Sequence, residues 1–347
     1  MTIATSQTVI LTDLVEDLKT PQSAIVTRYF PVTSTFDTEV VQVDVEKGRR
    51  TIAPLVSPRV PGRPQTRAQH QTNLIKPAYV KPKVAFDPDT TPVERQLGEP
   101  IGGNLSAQER HDRALFREMS AQDRQLIRRE ELMGTEALRT GKLTLVGEDY
   151  PATTVDFQRD ATLSPAALAG GELWSAATPK IAAKLEALAK LVRKASGVNP
   201  IDVIMGEDAF GAFIEDAAVK GELDNRGITG SALTPGIEVS EGLTFQGVFR
   251  KRNVFTYSGW YVDPADDTEK EIWPAKVITL ASPGEFGVKG RRFYGAIKDP
   301  KAGFAAVRSF VKMWTEEDPA VTWLMSQSAP LVAPLRPDAS LSIQVLA

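Results

Sequence analysis

Between Lys47 and Phe86 the chain carries nine lysines and arginines and not one aspartate or glutamate, against a formal net charge of −3 for all 347 residues. Six prolines (Pro54, Pro58, Pro61, Pro64, Pro77, Pro82) punctuate the same forty residues. Proline fixes φ, removes a backbone donor and drives the residue before it toward extended geometry. A segment built this way can be long, but it buries too little apolar surface to offset the entropy of ordering itself. Flanked by ordinary folded sequence, it is expected to be an arm that lies on another molecule.

The rest of the chain can support a core: 42% of residues are hydrophobic, enough for one large domain or two modest ones. No apolar stretch approaches the roughly 20 residues of a membrane helix, so no membrane partner is expected. The opening, MTIATSQTVILTDLVEDLKT, has acids where a secretory leader has its basic region, and no signal peptide is expected there. Cysteine is absent, which removes disulfides, thiolate zinc sites and cysteine nucleophiles together and suits assembly in a reducing cytoplasm. A pI near 5.7 argues against a dedicated nucleic-acid binder.

Catalytic chemistry finds little to stand on. The two histidines, His70 in the basic arm and His111 in a charged helix, read as solvated surface groups, and any triad or histidine metal site would need one of them. No nucleophile elbow, phosphate loop, dinucleotide fingerprint, zincin or EF-hand spacing is present. Strand Ile201–Met205, Gly206 and the following helix form a step where phosphates often bind, but Glu207 and Asp208 in the first turn would repel one. Two carboxylates suffice for glycoside hydrolysis, yet nothing singles out a pair. Neither catalysis nor a cofactor is expected.

Periodicity outlines the folded parts. A short amphipathic helix, Leu11–Leu18 with Thr12 as cap, precedes a strand-like pattern from Phe30 to Val45. After the basic arm, Asp87–Gly103 is punctuated by Pro88, Pro92, Pro100 and Gly102-Gly103. Ser106 and Glu109 then make a capping box for a helix running to about Arg139, with Gly141 as its stop. Leu115, Met119, Leu126, Ile127, Met133 and Leu138 form a thin apolar stripe on it, between interleaved arginines and acids. Such a helix is expected to pack on one side only; a coiled coil is the rival, although Gln122 and Arg129 interrupt the heptad. Lys142–Val146 and Thr153–Phe157 predict a hairpin. Thr178-Pro179 predicts a helix start, with Ile181, Leu185, Leu188, Val192 and Ala195 on one face. Helix Glu207–Lys220 is expected to turn Phe210, Phe213, Ile214 and Ala217 inward. Strands are expected over Leu243–Phe249, Val254–Val262, Ile272–Ala281, Phe304–Met313, Val321–Val332 and Ser340–Leu346, an α+β mixture whose C-terminal third is mostly β.

With elements in this order, six short segments acquire meaning: Val56-Ser57-Pro58, Tyr79-Val80-Lys81-Pro82-Lys83, Gly141–Glu148, Tyr257-Ser258-Gly259, Tyr294-Gly295-Ala296-Ile297 and Gln327-Ser328-Ala329-Pro330-Leu331. Together, collinear from about residue 54 to the C-terminus, they resemble the major capsid proteins of lambda-like tailed phages. The first fifty residues match poorly.

The resemblance implies a Hong Kong 97-type capsid fold, with an N-terminal arm over residues 1–30 and a peripheral-domain strand over 31–46. It makes 47–86 the extended loop and 87–171 peripheral domain with spine helix 106–139. It makes 172–284 the axial domain and returns 285–347 to the peripheral sheet. The function implied is self-assembly as hexamers and pentamers into the icosahedral head shell of a double-stranded DNA phage. Partners would be other copies of the chain, a portal, a scaffold and a decoration protein, with DNA enclosed but not bound by sequence. Arg49, Arg50, Arg59, Arg63, Arg67, Lys76, Tyr79, Lys81 and Lys83 are the expected intersubunit contacts, and Glu130, Glu131 and the Asp263–Glu271 run are the candidate acidic partners. A cellular nanocompartment shell of the same fold and a nucleic-acid binder using the basic arm are the alternatives. The arm lacks the interleaved aromatics of single-strand binders, having only Tyr79 and Phe86 near its end.

Overall fold

Ser106 and Glu109 form a reciprocal cap: the Ser106 hydroxyl accepts from Glu109 N–H, and the Glu109 carboxylate accepts from Ser106 N–H at 2.7 Å. The helix they start, Ala107–Thr140, has 34 residues and ends on Gly141 in the left-handed conformation, φ 68°. At 1.5 Å per residue it is a rod of about 50 Å. Arg159 closes its far end, donating to the carbonyls of Leu138 at 3.2 Å and Arg139 at 2.7 Å, where a helix favours positive charge.

All six residues of the apolar stripe are buried. The expectation of one-sided packing fails toward the C-terminal end, where Glu130, Glu131, Gly134 and Thr135 are buried as well. Glu131 and Gly134 are covered by a short helix, Ala24–Tyr29, that the sequence pattern does not announce, and Glu130 by Tyr294 and Arg308. The short helix crosses so close that a Cβ on Gly134 would stand 2.7 Å from Val26 Cγ2.

The structure, a computed structural model, describes residues 23–38, 40–47, 69–86, 106–147, 150–223, 232–240, 242–318 and 320–347, with Ile52, Ala53, Leu55, Ser57–Arg59 and Pro61. The Leu11–Leu18 helix lies outside them. A six-stranded sheet runs in the order Ser340–Gln344, Val277–Ala281, Asp202–Met205, Arg252–Tyr257, Leu243–Phe249, Ala232–Ser240, with only Asp202–Met205 and Arg252–Tyr257 parallel. Helices Ile181–Ser196, Glu207–Glu215 and Ala217–Leu223 accompany it, and Leu185, Val192, Phe213, Phe249 and Ile278 belong to their shared core. A second core joins the long helix, the Ala24–Tyr29 helix and the three-stranded sheet of Val32–Phe36, Gly290–Gly295 and Pro330–Pro334. A further sheet orders Phe310–Glu317, Ala320–Gln327 and Lys83–Phe86.

Several boundaries move for local reasons. The helix expected from Thr178-Pro179 begins at Ile181, with Lys180 as its cap. The Glu207–Lys220 helix breaks at Asp216, whose ψ of 126° is extended and whose carboxylate accepts from Val219 N–H to start the next helix. That break rephases the second piece, so Val219 is buried and Ala217 exposed; Ile214, in the first piece, is exposed as well. The Val254–Val262 strand divides at Ser258-Gly259, and Trp260–Asp263 pairs instead with Thr268–Glu271 as a hairpin. The Phe30–Val45 pattern resolves into Val32–Phe36 and Val41–Lys47.

Candidate intersubunit surface

The basic segment begins as one side of a two-stranded ribbon. Val41–Lys47 pairs antiparallel with Gln69–Ile75 from Val41↔Ile75 out to Lys47↔Gln69. Its root is embedded, since Val41 and Ile75 are buried in the core of the long helix. Beyond it, among the described residues, Ile52 and Leu55 stand 93% and 102% exposed. These two are the most exposed large apolar side chains among the described residues. Arg59 is exposed beside them.

Residues 76–86 behave differently, correcting the expectation of a free arm through to Phe86. The Tyr79 hydroxyl donates to Ala296 O at 2.6 Å, and Val80 exchanges two backbone hydrogen bonds with Ser328, at 2.9 and 3.0 Å. Lys83–Phe86 is an edge strand on Ala320–Gln327. The Lys83 ammonium lies 3.5 Å from the Trp323 ring centroid and 5.0 Å from that of Trp314, a cation–π seat. Phe86 is buried with Leu115, Met119, Val311 and Leu324. Thus Tyr79 and Lys83, expected to contact a neighbour, are engaged by their own chain. Lys76 and Lys81 are exposed, and Arg49, Arg50, Arg63 and Arg67 lie outside the described residues.

The candidate acids separate just as sharply. The Glu131 carboxylate accepts from the N–H groups of Ile25 at 2.8 Å and Val26 at 2.9 Å, and from the Tyr257 hydroxyl at 3.2 Å. It therefore caps the Ala24–Tyr29 helix from outside that helix's own sequence. Two residues of the same helix, Arg28 and Tyr29, donate to the buried Asp202 at 2.7 to 2.9 Å, with Asn253 completing the shell at 2.8 Å. Glu130 accepts from the Tyr294 hydroxyl at 3.0 Å and lies 3.6 Å from Arg308, which also reaches Asp123 at 3.1 Å. Burial pushes both glutamates above the usual carboxylate range, against the opposing pull of these donors. Neither is available to a neighbour's loop, which overturns their candidacy. A signal existed in the sequence. Positions 119, 123, 126, 130, 133 and 137 share one helical face with 127, 131, 134 and 138 beside them, so the acids interrupt the stripe rather than oppose it.

Asp263–Glu271 remains at the surface. Lys270 binds Asp263 at 2.6 Å and Asp266 at 2.9 Å, and those hydrogen bonds hold both carboxyls below the usual range, Asp266 at about 2. Between this hairpin, Val80–Pro82 and the Gln125–Leu132 stretch of the long helix runs a groove of about 830 Å³. Among the described residues no group of three His, Cys, Asp or Glu side chains is placed to hold a metal ion, and no helix is long and apolar enough to cross a membrane.

Among the described residues, a two-stranded ribbon rooted in the core leads out to exposed Ile52, Leu55 and Arg59, the make-up of a subunit that meets other molecules, with no metal cluster to suggest chemistry of its own. The family model for phage major capsid protein E matches residues 7–345. The chain belongs to that family. It is 28% identical over 323 residues to the major capsid protein of Escherichia phage lambda, covering 91% of this chain and 92% of that one. The major capsid protein of Enterobacteria phage P21 is 28% identical over 327 residues with the same coverage. A prophage capsid protein from Escherichia coli CFT073 superposes with a TM-score of 0.75 at 23% identity, covering 97% and 98% of the two chains. A phage-related protein from Bordetella bronchiseptica RB50 shares the fold at TM-score 0.53 and 11% identity. The α+β fold is thus that of phage capsid proteins, and the chain is a major capsid protein whose place is the virion shell. The family match decides between phage shell and cellular compartment in favour of the phage.

Proposed function

We propose that this chain tiles as hexamers and pentamers into an icosahedral container for double-stranded DNA, each subunit lending its basic ribbon to a neighbour. In this reading the long helix and the sheets of the 285–347 region form the peripheral domain, and the 172–284 region points toward the capsomer centre. The observation that carries the ribbon's role is the full exposure of Ile52 and Leu55 on a segment free of acids. Many modest contacts then sum to a stable shell, while charge steers and registers them more than it supplies affinity. Arg59, Arg63 and Arg67, with Arg49, Arg50, Lys76 and Lys81, are the cations offered to neighbours. A portal, a scaffold and a decoration protein are the further partners, DNA is enclosed without sequence reading, and the chain performs no catalysis.

Electron microscopy and sedimentation of the purified protein test this. Capsomers, tubes or shells well beyond dimer size are expected. Replacing Arg59, Arg63 and Arg67 together by Ser is expected to lower particle yield with the subunit fold intact, whereas single changes matter little because an exposed pair contributes about 0–1 kcal/mol. A well-behaved monomer at high concentration would overturn the proposal. Tight, salt-sensitive duplex binding that depends on the ribbon would replace it with a nucleic-acid role.

A further inference from the structure

We infer that the groove between the long helix and the Trp260–Glu271 hairpin is the seat for the Ile52–Arg59 stretch of a second copy of this chain. The inference rests on the shell reading and adds the address of the contact. Ile52 and Leu55 are left almost bare by their own subunit and lie three positions apart, so one partner surface can cover both. The groove presents apolar side chains in the same condition, with Trp260 55% and Val262 52% exposed. Both lie on one face of their strand, opposite Glu271 and Glu269 in the register, so that face alternates apolar and acidic groups. The ribbon supplies the complement, aliphatic side chains beside Arg59 and no acid between Lys47 and Phe86.

Charge fixes which wall receives it. The hairpin holds five acids (Asp263, Asp266, Asp267, Glu269, Glu271) against Lys270, a net charge of −4. Lys270 is committed to Asp263 and Asp266, and Glu271 accepts from Ala275 N–H. Asp267 and Glu269 form no ion pair among the described residues. The facing wall carries Arg128, Arg129 and Lys81, which repel a basic visitor. A cationic ribbon is therefore directed against the hairpin side, with Arg59 at the acidic rim and the Ile52 and Leu55 side chains on Trp260 and Val262. The groove's volume of about 830 Å³ lies within the roughly 300–1,000 Å³ of sites that enclose ligands.

The absence of cysteine makes the test direct. Chains carrying Leu55→Cys and chains carrying Val262→Cys are mixed, assembled and treated with diamide; a disulfide requires Cα atoms within about 7 Å. A heterodimeric band in the mixture, and a ladder of higher multimers from the double variant L55C/V262C, are expected. Each single variant alone gives at most its own symmetric dimer. Ile52→Cys with Trp260→Cys is the second pair, guarding against a shift in register. Particles are checked by microscopy before oxidation. Shells that form normally yet give no band with either pair overturn this seat and leave the shell reading standing. A cross-link only within one chain overturns it too. Failure of the unmodified chain to form any polymer removes the shell reading and this inference with it.

Discussion

Two sets of acids in this molecule invite the same expectation and meet opposite fates. Glu130 and Glu131 sit in an Arg-Arg-Glu-Glu run on the long helix; Asp263–Glu271 is an acidic turn. Both offer negative charge to a basic ribbon, and only the second is on the surface. The helix acids are buried, 2% and 4% exposed, and are held by donors from the Ala24–Tyr29 helix, Tyr257, Tyr294 and Arg308. Buried charge is retained only where hydrogen bonds and counter-charge surround it. Acidity therefore indicates an interaction site only after folding has taken its share, and here folding takes the acids with helical apolar spacing.

Arg308 gives the largest expected effect on the buried set, because it approaches both Asp123, at 3.1 Å, and Glu130, at 3.6 Å. Arg308→Ala is expected to cost about 3 kcal/mol, the lower end of the range for breaking a buried pair, since its side chain is about a third exposed. Urea unfolding of subunits kept below their assembly concentration measures it. A loss under about 1 kcal/mol would break the comparison, by showing that these acids are wet after all.

Glu131→Ala comes next. It removes the carboxylate that accepts from the amides of Ile25 and Val26 and from the Tyr257 hydroxyl, at an expected cost of about 2–3 kcal/mol. Glu131→Gln keeps one carbonyl oxygen and is expected to lose about half as much. Hydrogen exchange adds a local readout: Ile25 and Val26 amides lose protection in the alanine variant before the six-stranded sheet does. Equal damage from Gln and Ala would mean that the charge, not the acceptor geometry, anchors the short helix.

On the exposed set the same chemistry acts elsewhere. Asp267→Lys with Glu269→Lys is expected to leave subunit stability within about 0.5 kcal/mol, as surface changes do, while lowering particle yield at physiological ionic strength. Raising the salt is expected to narrow the gap between variant and native yields, because screening removes the charge contribution from both. Unchanged yield at low salt would leave the apolar pair Trp260 and Val262 as the whole contact.

Much of the fold was legible from residues because it is local. The Ser106 cap, the Gly141 stop and the stripe between them are written within one helix, and so is the Lys142–Asp156 hairpin. The strands Gly290–Gly295 and Ala232–Ser240 were not recognised, nor the Ala24–Tyr29 helix. That helix has six residues, too few to show periodicity, and its cap comes from Glu131, over a hundred positions away. The basic segment was only half legible. Composition reports that it lacks a core of its own, but cannot report that residues 76–86 borrow one, through Ser328, Trp323 and the Phe86 pocket.

The smallest expected effect is also the one whose sign separates the two sets. Burial raises the folded-state range of Glu130 and Glu131 above the 4.5 of an ordinary glutamate, so the folded chain holds their protons where the unfolded chain has released them. Their contribution to stability therefore falls as pH rises from 4.5 through the raised range, and is constant above it. Asp266 has the reverse sign: Lys270 and Thr268 lower it from 3.8 to about 2, so its contribution is complete above pH 3.8 and disappears as pH falls through about 2. Glu130→Gln with Glu131→Gln removes the first titration and Asp266→Asn the second. Measured against the native subunit by urea midpoint, the double glutamine variant is expected to gain relative stability between pH 4.5 and 7. The asparagine variant is expected to run parallel to native over that interval and to converge with it only in stronger acid. A double glutamine variant that instead loses ground as pH rises would show that the helix acids are stabilised by their donors more than they are penalised by burial, placing them with the hairpin acids.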